Sequence, residues 1–231
     1  MNKSRKEFIL SADDFGLSPL ANKNILALIR SHKLDRASLM VDGTFTPKEL
    51  EELKASGIRI DIHLDLSGSK KKRKKIKENA LIRGFVFLLR LTSRSTWPNS
   101  VRMDWESQIE KFHSLVGRYP DGLNSHQHIH FFPLYFKVAI LLAQKNRIAY
   151  FRFGKDTLIQ SHTLVYYILF FLHKKNRKNF LSSKLQTSAH LVSLDWIDDM
   201  PKFMAKSYAG PVEIVCHPEI RKEFEAVKKY F

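Results

Sequence analysis

The sequence predicts an α/β protein: a distorted (β/α) TIM-like barrel of mostly parallel strands, built as a single domain over residues 1–231. Three observations predict it. Short β-rich apolar runs alternate with amphipathic helical patterns along the chain. About seven such β-then-α units favour a parallel sheet with helices outside, curled into a closed or nearly closed barrel. No Gly/Ser/Pro-rich linker or internal repeat divides the sequence, and its 44% hydrophobic content suits one sizeable core.

The elements follow in order. Glu7–Ser11 (EFILS) reads as a buried strand. Ser18-Pro19 opens a helix to about Ser31, with serine at the cap and proline in the first turn. Ser38–Val41 is the second strand. Thr46-Pro47 starts the helix KELEELKAS, which Gly57 closes. IRIDIHLDL (58–66) alternates strictly and reads as the third strand. Residues 67–103 read as irregular, a basic insertion in the domain. DWESQIEKFHSLVG (104–117) is an amphipathic helix, LNSH a short strand, and PLYFKVAILLAQKN (133–146) a helix starting at proline. AYFRF, HLVSL and VEIVC are further strands with helical segments between and after them. The apolar runs at 80–91 and 164–172 are too short to span a bilayer, which needs about 20 residues. Each reads as a buried helix, with an interfacial helix on anionic lipid as the other reading.

The formal charge is +16 and the pI about 9.9, with seven basic residues in the eight of KKKRKKIK (70–77). That run is either a solvated loop or an attractor for something anionic. No reader motif or aromatic interleaving accompanies it, which argues against sequence-specific nucleic-acid binding. A single cysteine, Cys216, excludes an internal disulfide and suits a reducing compartment. The N-terminal apolar run is only Phe8–Leu10, too short for a signal peptide. The expectation is a cytoplasmic protein, with peripheral contact to an anionic membrane through 70–77.

Four strands end in reactive residues: Asp13-Asp14 after EFILSA, His63 and Asp65 after IRIDI, His126 after LNS, and His217 after VEIVC. In a parallel barrel these ends meet in one mouth. One carboxylate with two imidazoles makes a mixed O/N site for a divalent cation, which acidifies water and polarises a carbonyl. A second carboxylate can take the proton of that water, and another histidine can protonate a leaving amine. Neighbouring strand residues point to opposite faces. Asp13 and Asp14 should therefore differ in role, and both reach the mouth only if the strand turns before Phe15-Gly16. Three readings fit these parts: a metal-dependent amidohydrolase, a metal-dependent phosphoesterase, and a non-catalytic barrel binding anionic lipid or nucleic acid.

SADDFGLS (11–18), HLDL (63–66), NSHQHIHFFP (124–133) and VEIVCHPE (212–219) together resemble the YdjC family of carbohydrate deacetylases. That family includes the chitooligosaccharide deacetylases and hopanoid-biosynthesis-associated relatives. The resemblance implies a distorted barrel, one divalent metal ion and removal of an N-acetyl group from an acetamido sugar. The sugar is free or linked to lipid or phosphate. Magnesium is the ion the family implies, while two imidazoles suit zinc or another transition metal equally. By position, Asp14, His63 and His126 match the metal ligands, Asp13 the general base and His217 the acid, with the order of the two aspartates open. His128 lines the substrate cleft if the chain bends after His126, and His130 then packs below. Arg152 steadies Asp13 or contacts substrate. The sequence departs from the family at Asn124, where many members carry Asp, and it stops at Phe231 where members commonly continue. The stretches 67–103 and 158–172 match no family pattern.

Overall fold

The structure, a computed structural model, describes residues 7–66, 99–159 and 161–231. The basic run 70–77 and the apolar run 80–91 lie outside the described residues. The described residues form eight strands: β1 (Phe8–Phe15), β2 (Arg36–Leu39), β3 (Arg59–Leu64), β4 (Gly122–Ser125), β5 (Tyr150–Phe151), β6 (Thr157–Leu158), β7 (His190–Ser193) and β8 (Val212–Cys216). They form one parallel sheet in the order β5-β4-β3-β2-β1-β8-β7-β6. The described helices are α1 (Pro19–Arg30), α2 (Pro47–Ala55), α3 (Asn99–Val116), α4 (Pro133–Lys145), α5 (Leu164–Ser183), α6 (Met200–Ala205) and α7 (Arg221–Tyr230). This is the α/β TIM-like architecture that the alternation predicts.

The helix starts obey their local chemistry. Ser18 caps α1 by accepting from the Ala21 N–H, and Thr46 with Glu49 forms a reciprocal capping box on α2. Two boundaries differ from expectation. β1 runs four residues beyond Ser11, to Phe15. α3 begins at Asn99, so the end of the stretch expected to be irregular is helical. Trp105, Ile109, Phe112 and Val116 bury the apolar face that holds α3 in place.

AYFRF is a strand only over Tyr150–Phe151, and β6 was not expected. No helix separates them. Gly154 turns the chain there at φ 74°. β5 pairs with β4, β6 pairs with β7, and a Tyr150–Gln186 bridge ties the β5 side to residues leading into β7. β5 and β6 thus act as two halves of one broken strand at the seam of the barrel.

The alternation within strands is apolar outward and polar inward. Ala12, Ala37, Leu39, Ile60, Ile62, Leu64, Leu123, Phe151 and Ile214 are fully buried in the apolar core. The opposite positions hold Ser11, Asp13, Arg36, Ser38, Asp61, His63, Asn124, Arg152 and Glu213, all buried too. These polar groups bond to one another across the barrel. Arg36 forks onto Asp61 through Nε (2.8 Å) and Nη2 (2.5 Å). Tyr150 Oη donates to Glu213 Oε2 at 2.7 Å, and Ser11 Oγ to Glu213 Oε1 at 2.8 Å. Four strands lie between β5 and β8 in the sheet order, so a direct Tyr150–Glu213 contact requires a curled sheet. Leaving such polar groups unpaired inside a low-dielectric interior is costly, so this filling fixes the arrangement more narrowly than an apolar one does.

Candidate active site

The mouth is built where the strands stop. β1 pairs with β2 through Ser11–Arg36 and Ala12–Ala37, then slips so that Phe15 meets Leu39. The irregularity falls on Asp13 and Asp14, and Asp14 takes the left-handed conformation at φ 71°. Aspartate is among the few non-glycine residues that adopt it readily. The turn expected from the sequence is therefore present, and both carboxylates line the same cleft. Gly16 (φ 99°) completes the turn. Its carbonyl lies 2.4 Å from where a Cβ on Gly43 would sit, so the loop after β2 packs directly on this backbone.

Asp14 Oδ1 lies 2.9 Å from His126 Nδ1 and 3.2 Å from His63 Nε2. The three ligand-capable atoms lie within 4.8 Å of one another. Two ligands at right angles on a magnesium ion stand roughly 3 Å apart, given metal–oxygen distances near 2.1 Å. The donor set and its spacing therefore fit a divalent cation. Burial alone raises the Asp14 pKa, but hydrogen bonds to His126 and His63 bring it well below the usual carboxylate range. Burial lowers the pKa of His63, yet Asp13 and Asp14 leave it raised overall.

The tautomer of His63 follows from a chain of hydrogen bonds. Ser38 Oγ gives its single proton to Asp13 Oδ1 at 2.8 Å. It must then accept from Asn124 Nδ2, also at 2.8 Å. That orients the Asn124 amide so that its Oδ1 faces His63 Nδ1, which donates to it. In the neutral ring the lone pair therefore falls on Nε2, the nitrogen beside Asp14, as a metal ligand requires; without a metal, a proton on Nε2 bonds Asp14 instead.

Asp13 is clamped from behind. Arg152 Nη1 donates to both of its oxygens at 2.8 and 2.7 Å, while Arg152 Nε donates to Glu213 Oε1 at 2.8 Å. Burial raises the Asp13 pKa, and Arg152 overcomes that effect and holds the group ionised. Of the two contacts expected for Arg152, with Asp13 or with substrate, the structure shows the first: Arg152 is 1% exposed, enclosed by Asp13, Glu213 and Ser38, and absent from the described residues lining the cleft.

His217 enters the cleft after β8. Its backbone N–H donates to Glu223 Oε2 at 2.7 Å, and its Nδ1 lies 3.4 Å from the same oxygen. Burial lowers the pKa of His217, but Glu223 first, then Asp14 and Asp13, push it up to about 9.

The three alternating histidines separate. Gln127 and His128 both adopt left-handed conformations, so the strand ends at Ser125 and a 3-10 turn covers His126–Phe131. His126 stays beside Asp14. His128 lines the cleft, with no hydrogen-bond partner for its buried Nδ1 among the described residues, and burial lowers its pKa to about 3. His130 turns into the core between Ser125 Oγ at 2.6 Å and the Arg152 carbonyl at 3.0 Å.

Ser38, Glu213 and Glu223 are the functional neighbours that the sequence reading missed. Glu213 carried a visible cue, an acid in the middle of the apolar strand VEIVC. Ser38 and Glu223 carried none, because each gains meaning only through a distant partner.

The cleft measures about 1100 Å³. One wall is apolar, with Val165, Ile168, Leu169, Leu194, Ile197 and Met200. The polar lining is acidic: Asp195, Asp198, Asp199 and Glu219 join the central carboxylates, and Lys222 is the single Lys or Arg among the described lining residues.

Comparison with known proteins agrees with this architecture. The family model for YdjC-like protein matches residues 7–229. A chitooligosaccharide deacetylase of Salmonella heidelberg is 26% identical over 160 residues, 68% of this chain and 62% of the relative. A carbohydrate deacetylase of Xenopus laevis is 26% identical over 156 residues, 64% of this chain and 51% of the relative. The matched region thus spans about half to three-fifths of these relatives. Among solved structures, a proposed cellobiose-phosphate cleavage protein of Enterococcus faecalis V583 superposes with a TM-score of 0.62 at 19% identity, covering 98% of this chain and 92% of the other. The Bc1960 peptidoglycan N-acetylglucosamine deacetylase gives a TM-score of 0.52 at 14% identity, covering 97% and 79%.

Proposed function

We propose that this chain, which belongs to the YdjC-like family, is a metal-dependent deacetylase acting on an acetamido sugar. The observation that carries the reading is the convergence of Asp14, His63 and His126 in one donor cluster with Asp13 and His217 on the same cleft. The relatives named as deacetylases support the reaction class. Asp14, His63 and His126 would hold the cation, magnesium by family or a transition metal by donor softness. Bound there, a divalent cation supplies Lewis acidity that polarises the acetamide carbonyl and makes water a stronger acid.

The remaining roles belong to the protein. Asp13 stays ionised because of Arg152, so it accepts the proton that water loses as its oxygen bonds to the acetyl carbon. His217 enters protonated, held so by Glu223, and gives its proton to the sugar nitrogen as the C–N bond breaks. Acetate and a free amine result. His128, neutral through burial, offers an uncharged imidazole to the sugar. The acidic rim of the cleft favours an amine product, which becomes cationic on release.

That rim, as built by the described residues, also favours one reaction class over the other. A phosphoesterase can use the same donor set, and the net charge of +16 favours an anionic substrate. The cleft itself, however, lines a phosphate's approach with carboxylates and one lysine. The test is acetate release from a panel of N-acetylated sugars with added divalent metal, run beside a phosphatase panel. Acetate release that is lost in His126→Ala supports the reading. Phosphate release without acetate release overturns it.

A further inference from the structure

The stretch at 164–172 is only half buried, and its exposed half is the wrong chemistry for water. In α5, Tyr166, Leu169, Leu172, His173, Asn176 and Phe180 face the protein at helical spacing. Leu164, Val165, Tyr167, Ile168 and Phe171 face outward, with Phe171 65% and Tyr167 52% exposed. A cluster of large apolar side chains on one exposed helix face marks an interaction surface. Along the helix the chemistry then changes. The stripe Leu164, Ile168, Phe171 continues as Lys175 and Lys178, and Lys174 and Arg177 lie alongside, all exposed. No acidic residue occurs in the 20 residues of α5. A surface hollow of about 560 Å³ is lined by Lys174, Arg177, Lys178, Leu181 and Ser182.

Apolar turns followed by basic turns on one helix match the layering of a membrane surface, acyl chains below and phosphates above. The helix does not cross the bilayer, for no described helix is long and apolar enough to do so. We propose that α5 docks this protein on an anionic bilayer. Its first two turns enter the headgroup–acyl boundary, and the Lys174/Arg177/Lys178 hollow meets lipid phosphate. The charge pattern selects this occupant over an uncharged apolar partner.

The docking face and the cleft share residues. Val165 and Ile168 are exposed on α5 and also line the cleft that holds Asp14 and His126. Docking therefore places the cleft mouth at the membrane surface with an apolar wall leading into it. Resting on the deacetylase reading for its chemistry, the structure assigns the substrate to acetamido sugars carrying a lipid anchor, whose hydrocarbon runs along the Val165–Ile168 wall. The acidic cleft side chains come from Asp195, Asp198, Asp199 and the segment around α7, not from α5.

The experiment is vesicle co-sedimentation of the whole chain with phosphatidylcholine vesicles, with and without phosphatidylglycerol. Binding is expected on the anionic vesicles only. The double variant Tyr167→Ser/Phe171→Ser loses tenfold or more in affinity. Each basic side chain at an anionic surface strengthens binding about fivefold, so Lys174→Gln/Lys178→Gln loses roughly 25-fold, and added salt weakens the wild type in parallel. All four positions are exposed and outside the cleft, so both variants should release acetate from a soluble acetamido sugar as the wild type does. Undiminished binding in both variants, with loss only on neutralising residues 70–77, overturns the proposal. So does a sizing experiment in which the wild type is a dimer that Tyr167→Ser/Phe171→Ser splits, because a second copy then covers the face. Vesicle binding without acetate release from any substrate sinks the deacetylase reading alone, whereas acetate release without vesicle binding sinks the docking alone.

Discussion

Replacing Arg152 with methionine tests the organisation of the barrel interior. Arg152 is the cation between two buried carboxylates, Asp13 and Glu213, each about 2.8 Å from it. With both acids ionised the trio carries a net charge of −1, and Arg152→Met changes that to −2 at buried positions. Removing one partner of a buried ion pair costs about 3–5 kcal/mol, because the other charge is left uncompensated. Glu213→Gln takes the trio to zero and keeps one acceptor oxygen for Arg152 and Ser11, but its amide nitrogen cannot accept from Tyr150 Oη, so it costs about 1–3 kcal/mol. The pH dependence has a definite sign. In the wild type the Asp13 pKa is depressed, so its stabilisation is present above the unfolded value of 3.8 and is lost as pH falls through the folded value. In Arg152→Met burial, which raises the Asp13 pKa, is opposed only by His63 and His217, so the pKa lies above its wild-type value. The deficit against wild type is then largest at neutral pH and narrows as acid protonates Asp13. Urea unfolding of metal-free protein across pH 5–8 measures this. A deficit below about 1 kcal/mol, or one that widens toward acid, refutes the account of Arg152 as the counter-charge.

Further outcomes follow from the same geometry. Asp14→Asn removes the only carboxylate of the donor cluster, and metal analysis of the purified protein should show bound divalent metal falling at least tenfold; retention at wild-type level contradicts the assignment. His217 should titrate near 9 by NMR in metal-free protein, with its stabilisation complete below pH 6.5 and lost as pH rises through 9. Glu223→Gln should move that titration downward, as should an added cation near Asp14, and a titration unchanged by Glu223→Gln would show that Glu223 does not hold the proton. Asn124→Asp removes the donor to Ser38 Oγ and adds a buried charge beside His63. It should lower metal-free stability by roughly 1–3 kcal/mol while tightening metal binding, and unchanged values of both in calorimetry would contradict the proposed tautomer relay.

The parts of this fold that sequence made legible are those set by local chemistry. The capped starts at Ser18 and Thr46, the alternation of IRIDIHLDL and the strand-end positions of Asp13, His63, His126 and His217 all depend on residues a few places apart. The broken strand at Tyr150–Leu158 was not legible, because its two halves are defined by pairing with β4 and β7 rather than by their own pattern. The 164–172 run misled in a different way. Its apolar content speaks for burial, yet only every third or fourth residue faces the protein. Composition cannot distinguish a core helix from one that presents apolar side chains outward; that distinction lies in what the opposite face packs against.

Arg152 shows why the cleft residues are held where they are. Expected either to steady Asp13 or to contact substrate, it stands behind the cleft on Asp13, and its position gives the two aspartates different surroundings. Asp13 points to the guanidinium, so its oxygens are engaged and it remains ionised without a metal. Asp14, one residue later and in a left-handed conformation, points away from that clamp toward His63 and His126. Had β1 stayed regular, the two side chains would lie on opposite faces, and one carboxylate would be lost to the outer core. The bulge therefore converts a pair of sequence neighbours into two distinct sites. Ser38 couples them, since its hydroxyl serves Asp13 and, through Asn124, sets the lone pair of His63. A hydroxyl-free residue at position 38 would leave Asn124 able to flip, and His63 could then present its N–H to the cluster instead of its lone pair. Ser38→Ala should accordingly weaken metal binding although the side chain touches no donor atom of the cluster, and unaltered metal affinity in that variant would show that His63 is oriented by some other contact.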